Sequence, residues 1–84
     1  PSAVEEIIRG LAEVAEYRVH VSAKQALTEM RVEIEPDAGA AAPALATQLE
    51  QLFHKAFALR VPVTVVAAGT LPRFEMKAMR WVKG

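Results

Sequence analysis

Lys77 is the side chain whose neighbours best suit it for chemistry. It lies in the run Gly69-Thr70-Leu71-Pro72-Arg73-Phe74-Glu75-Met76-Lys77-Ala78-Met79-Arg80-Trp81, flanked by Arg73 and Arg80, with Glu75 the only acid nearby. The apolar stretch Val61 to Val66 precedes it and reads as a strand; Gly69 and Pro72 then break that strand with a turn. A compact ammonium on a flexible stem beside a turn suits contact with a phosphate or a carboxylate. The plain alternative is a solvated basic tail after a last strand.

The other chemistry-bearing residues offer less. There is no Cys, which excludes thiolate chemistry, a disulfide framework and Cys-based zinc sites. His20 and His54 are far apart and lack ligand spacing, so no metal site is expected. Glu5 and Glu6 are helix neighbours pointing about 100° apart, so they form no carboxylate dyad. An N-terminal Pro1 can act as a general base, as in small tautomerases. Those chains run from Pro into a strand, whereas Ser2-x-x-Glu5 here is a capping box that starts a helix.

The elements that must position Lys77 follow from periodicity. Val4, Ile7, Ile8 and Leu11 recur at helical spacing, predicting a first helix that ends near Leu11 or Ala12. Tyr17, Val19 and Val21 alternate with Arg18, His20 and Ser22, and Met30, Val32 and Ile34 alternate with Glu29, Arg31, Glu33 and Glu35. Two strands so close in sequence predict an antiparallel hairpin joined across residues 23–26. Arg18 and His20 then oppose Glu29, Arg31 or Glu33 as a solvated charge ladder. Pro43 suits the first turn of a second helix, with Leu45, Leu49, Leu52, Phe53 and Ala56 as its buried stripe and Phe57 at its edge. Pro62 is tolerated at a strand start or on an edge strand. The order α-β-β-α-β predicts an α+β fold: a three-stranded, mostly antiparallel sheet with two helices packed on one face. Trp81 and Phe74 read as packing residues.

Residues 1–84 have room for one domain. Ten basic and ten acidic residues cancel, so nothing draws the chain towards nucleic acid or a membrane. The charges are segregated, however. Residues 1–53 hold four basic and nine acidic groups; residues 54–84 hold six basic and one acidic. No apolar run approaches the roughly 20 residues needed to span a bilayer. A cytoplasmic location is compatible with these features.

The closing run resembles the final motif of the adenylate-forming acyl-CoA ligases, and of the phenylacetate-CoA ligase group in particular, whose motif reads Gly-Thr-Leu-Pro-Arg-Ser-Glu-Gly-Lys-Ala-Lys-Arg. Gly69 to Arg73, Glu75, Lys77, Ala78 and Arg80 match it; Phe74, Met76 and Met79 depart from it. Pro1-Ser2-Ala3-Val4-Glu5-Glu6 is similar to the Pro-Ser-x-(Ile/Val)-Glu-Glu that follows the hinge in those ligases. The resemblance implies that residues 1–84 are a C-terminal (lid) subdomain, a piece of a longer chain. It implies a parent that joins an aryl or acyl carboxylate to coenzyme A with ATP and Mg²⁺, through an acyl-adenylate.

It further implies that Lys77 is the adenylation lysine, contacting the substrate carboxylate and the α-phosphate region of ATP. Arg73, Arg80, Glu75, Gly69 and Thr70 are implied as supports for nucleotide, substrate or the domain interface. The partner is the N-terminal adenylate-binding domain, which carries most ATP and CoA contacts, so the 84-residue piece alone is expected to be inactive. The family's small domain swivels between an adenylation and a thioester-forming station. Met76 in place of Gly makes a positive φ before the lysine costly. A second reading is a free-standing α+β binding or regulatory module, including a homodimer paired through a strand edge.

Overall fold

The computed structural model describes residues 3–24, 27–73 and 80–83. Helix α1 spans Ala3–Arg9, strands β1 and β2 span Val14–Lys24 and Leu27–Pro36, helix α2 spans Ala42–Phe57, and β3 and β4 span Val63–Val65 and Trp81–Lys83. The sheet order is β3-β2-β1-β4.

The strands β1 and β2 form the expected antiparallel hairpin, with Tyr17 opposite Ile34, Arg18 opposite Glu33, Val19 opposite Val32 and His20 opposite Arg31. It is longer than alternation suggested, since residues 23 and 24 stay in β1 and Lys24 pairs with Leu27. A register irregularity falls between Val14 and Glu16; from Glu16, opposite Glu35, to Lys24, opposite Leu27, the pairing is regular.

The expectation of three mostly antiparallel strands is corrected to a mixed sheet of four. β3 runs parallel to β2, and β4 runs parallel to β1. The first difference has a simple cause. Sixteen residues of helix rise about 24 Å, which carries the chain back across the sheet and returns it in the original direction. The second difference arises because β4 is three residues long, too short for any periodic signal. β3 lies on an edge of the sheet, with Pro62 immediately before it. The Pro62 carbonyl accepts from Val32 N–H at 2.9 Å, and Glu50 Oε2 on α2 accepts from Val63 N–H at 2.9 Å.

Both helices cover one face. Val4, Ile8, Tyr17, Val19, Val32, Ile34, Leu45, Leu49, Phe53 and Val61 make the core. The α2 stripe is narrower than expected: Leu45, Leu49 and Phe53 are buried, Leu52 is partly buried and Ala56 is exposed. Phe57 continues the i, i+4 row and stacks with Phe53 at 6.2 Å between ring centroids. On α1, Ile8 rather than Ile7 is the buried centre, and the helix ends at Arg9, two residues early. Ser2 lies outside the described residues. Glu5 is buried and accepts from the Tyr17 hydroxyl at 3.0 Å.

Candidate functional site

The uncovered face of the sheet carries the charged positions, because residues alternate in and out along a strand. From β1 these are Glu16, Arg18, His20 and Ser22; from β2 they are Glu35, Glu33, Arg31 and Glu29. Glu33 Oε1 accepts from Arg18 Nε at 2.8 Å and is also held by His20 Nε2. Burial would raise the Glu33 pKa, but these two partners outweigh it and the net shift is downward.

The turn after β3 folds against the β2 end of this face. Val66 N–H donates to Ile34 O at 2.9 Å, and Thr70 N–H donates to Ala67 O at 3.0 Å. Gly69 takes φ +82°, and a Cβ there would meet nothing within 4 Å. Its side-chain-free backbone, not lack of space, is what the turn needs. Leu71 is buried outside the main core cluster. Its N–H donates to Glu35 Oε1 at 3.1 Å, and Arg73 Nη2 donates to Glu35 Oε2 at 2.5 Å. Glu35 is only 1% exposed. The Arg73 guanidinium holds its carboxyl down to about 2, against burial and with help from the backbone N–H groups of Leu71 and Gly69.

A second arginine closes on the neighbouring strand. Arg80 donates to Glu16 from Nε at 2.7 Å and from Nη2 at 3.4 Å, and its guanidinium lies 4.9 Å from the Tyr17 ring centroid. Glu16 is buried, and its carboxylate raises the Arg80 pKa. Both arginines that the motif supplies therefore form ion pairs inside this domain. Arg73 still keeps 61% of its side chain exposed. Trp81 packs at the margin of the core.

Of the site residues expected from sequence, the structure brings Gly69, Thr70 and Arg73 together in one turn, and sets Arg80, the residue before β4, against Glu16 on the neighbouring strand β1. Lys77 and Glu75, with Phe74, Met76 and Met79, lie outside the described residues. Sequence reasoning missed Glu16 and Glu35 as partners. Their signal was faint: two arginines in a tail with a single acid, and an excess of acids in the first half of the chain. Among the described residues, no group of three or more His, Asp or Glu side chains could hold a metal ion. A groove of about 830 Å³ lies towards the hairpin's far end, lined by Met30, Phe57, Leu59 and Val61 with His20 and Arg31; the motif residues take no part in it.

The depressed Glu35 pKa has a measurable consequence. A carboxylate at about 4.5 when unfolded and about 2 when folded contributes stability that is complete above pH 4.5 and is lost as pH falls towards 2. Urea midpoints measured from pH 6 to pH 2 are expected to fall through that window. The Glu35→Gln variant is expected to start lower at pH 6 and to show a flatter decline. An equal decline in both proteins would locate the acid sensitivity elsewhere.

Comparison with known proteins extends these observations. The model of the AMP-binding enzyme C-terminal domain matches residues 1–83. A domain of phenylacetate-coenzyme A ligase from Bacteroides vulgatus ATCC 8482 superposes with a TM-score of 0.73 at 21% identity, over 95% of this chain and 78% of that one. A 2-hydroxyisobutyryl-CoA ligase in the postadenylation state, in complex with 2-HIB-AMP, gives 0.80 at 24% identity over 100% of this chain. The same ligase with 2-HIB-AMP and CoA in the thioesterification state gives 0.77 at 22% identity over 99%. The chain spans 19% of the length of those ligase chains. No curated protein sequence matches significantly. At these identities the solved structures establish the shared fold, while the family model covers nearly every residue: the chain belongs to the AMP-binding enzyme C-terminal domain family.

Proposed function

We propose that this domain is the mobile lid of an ATP-dependent aryl- or acyl-CoA ligase and that Lys77 is its adenylation lysine. The observation that carries this reading is the match of Gly69 to Arg73, Glu75, Lys77, Ala78 and Arg80 to the ligase motif. Its first part is built as a tight turn on the sheet. In the first half-reaction a carboxylate oxygen bonds to the α-phosphorus of ATP and pyrophosphate departs. Two anions must approach each other. An ammonium between them offsets their repulsion and stabilises the charge that develops in the transition state. Lys77 is thus an electrostatic clamp and not a nucleophile. In the second half-reaction the CoA sulfur bonds to the acyl carbon and AMP leaves.

The nucleotide, Mg²⁺ and most of CoA are assigned to the N-terminal adenylate-binding domain. The two buried carboxylates nearest the motif, Glu16 and Glu35, are already engaged by Arg80 and Arg73. Occurrence of this fold in ligase structures described as postadenylation and thioesterification states supports a domain that serves both steps.

The test is acid-dependent ATP–pyrophosphate exchange by the full-length protein, across a panel of aryl and short acyl carboxylates. At least one acid is expected to support exchange and, with CoA added, thioester and AMP formation. The 84-residue chain alone is expected to support neither. Absence of exchange with every acid, joined to a coding frame that starts directly before Pro1, would favour the free-standing module.

A further inference from the structure

We infer that Glu50 is a guard on the β3 edge of the sheet: its carboxylate occupies the central outward N–H of that strand and so closes the edge to a strand from a second copy of this chain. β3 is an end strand in the order β3-β2-β1-β4. Its inner side is defined by two bonds to β2, Val32 N–H to Pro62 O and Val66 N–H to Ile34 O, both at 2.9 Å. Backbone groups alternate between the two sides of a strand, so Val61, Val63 and Val65 direct theirs away from the sheet. The Val63 N–H, in the middle of this row, donates to Glu50 Oε2 on α2 at 2.9 Å. The Val65 N–H meets no such acceptor among the described residues. Pro62 does not close the outer side, because its carbonyl faces β2 and its nitrogen lies on that same side.

Without Glu50 this edge has what an association site needs. A row of unpaired N–H and C=O groups is a template for another strand, and edges are blunted by charge, proline or shortness. The edge also adjoins the large hydrophobic side chains that stand exposed among the described residues, Leu59 at 66% and Val65 at 38%. The row is self-complementary. A second copy laid antiparallel about Val63 exchanges two hydrogen bonds between the Val63 residues and sets Val61 of either copy against Val65 of the other, a closed two-fold contact. Glu50 opposes this arrangement twice over. It takes the donor that the central pair needs, and the symmetry brings both carboxylates to one axis, where like charges repel.

The test follows the 84-residue chain, which carries its own core, by sedimentation and by residue-resolved amide exchange. Ala is the best helix former, so Glu50→Ala leaves α2 intact. The parent chain is expected to be monomeric, with the Val63 amide exchanging about tenfold or more slower than the Val65 amide after correction for intrinsic rates. Glu50→Ala is expected to form a dimer. Adding Val65→Pro is expected to restore the monomer, since that proline removes an outward N–H and spares the bonds to β2. A Glu50→Ala chain that stays monomeric overturns the inference and leaves the shortness of β3 as the barrier. A Glu50→Ala dimer that survives Val65→Pro overturns it by placing the contact elsewhere. So does a parent chain that is already a dimer and is dissociated by Val65→Pro, because the edge is then open. Equal exchange of the Val63 and Val65 amides in the parent chain also overturns it, and that comparison needs no variant to fold.

Discussion

Phe53→Ala is expected to destabilise the 84-residue chain by about 3–5 kcal/mol. Phe53 is at 0% exposure and is the largest of the fully buried side chains. It lies on α2 with Leu45 and Leu49, over the sheet residues Val19, Val32 and Ile34, and its ring stacks on Phe57. Truncation removes the transfer energy of a benzyl group and leaves a cavity that rigid strands cannot collapse to fill. A domain this small has a stability of roughly 5–15 kcal/mol at most, so the variant keeps only part of it. Urea unfolding followed by circular dichroism is expected to show a lower midpoint with an unchanged slope. Leu59→Ala is the control: Leu59 is 66% exposed, and its loss is expected to stay within about 0.5 kcal/mol. A Phe53→Ala loss below about 1 kcal/mol would mean that α2 does not seat on the sheet as described.

The parts of the fold that were legible in the sequence are those with local signals. The β1–β2 alternation and the helical spacing of Leu45, Leu49 and Phe53 named the hairpin and α2. Pro62 fitted the start of a strand or an edge strand, and Gly69 marked a turn; the structure gives Gly69 a positive φ. The strand β4 was not legible: Trp81–Lys83 pairs in parallel with residues some sixty positions earlier, and three residues carry no period. The Tyr17 hydroxyl on the Glu5 carboxylate is a tertiary contact that no local spacing signals.

The candidate site divides in the same way. The motif residues could be named from the chain alone, but their partners could not. Arg73 meets Glu35 across 38 positions, and Arg80 meets Glu16 across 64. The two acids sit opposite each other in the hairpin, Glu16 facing Glu35. The segregation of acids and bases along the sequence foreshadowed this. The acidic first half and basic second half close on each other within the domain, and part of the charge that composition suggests for partners is used in folding.

The measurement that tests the account most directly is Lys77→Ala in the full-length protein, with adenylation and thioester formation assayed separately. Removing one preorganised positive charge from a site where charge develops costs on the order of 10²–10³-fold. Adenylation is expected to fall by that factor, while thioester formation from supplied acyl-adenylate persists, because the clamp acts on the carboxylate and α-phosphate only while they react. Adenylation that continues at the parent rate would contradict the account and leave the Gly69–Arg80 stretch a piece of the fold rather than of the active site.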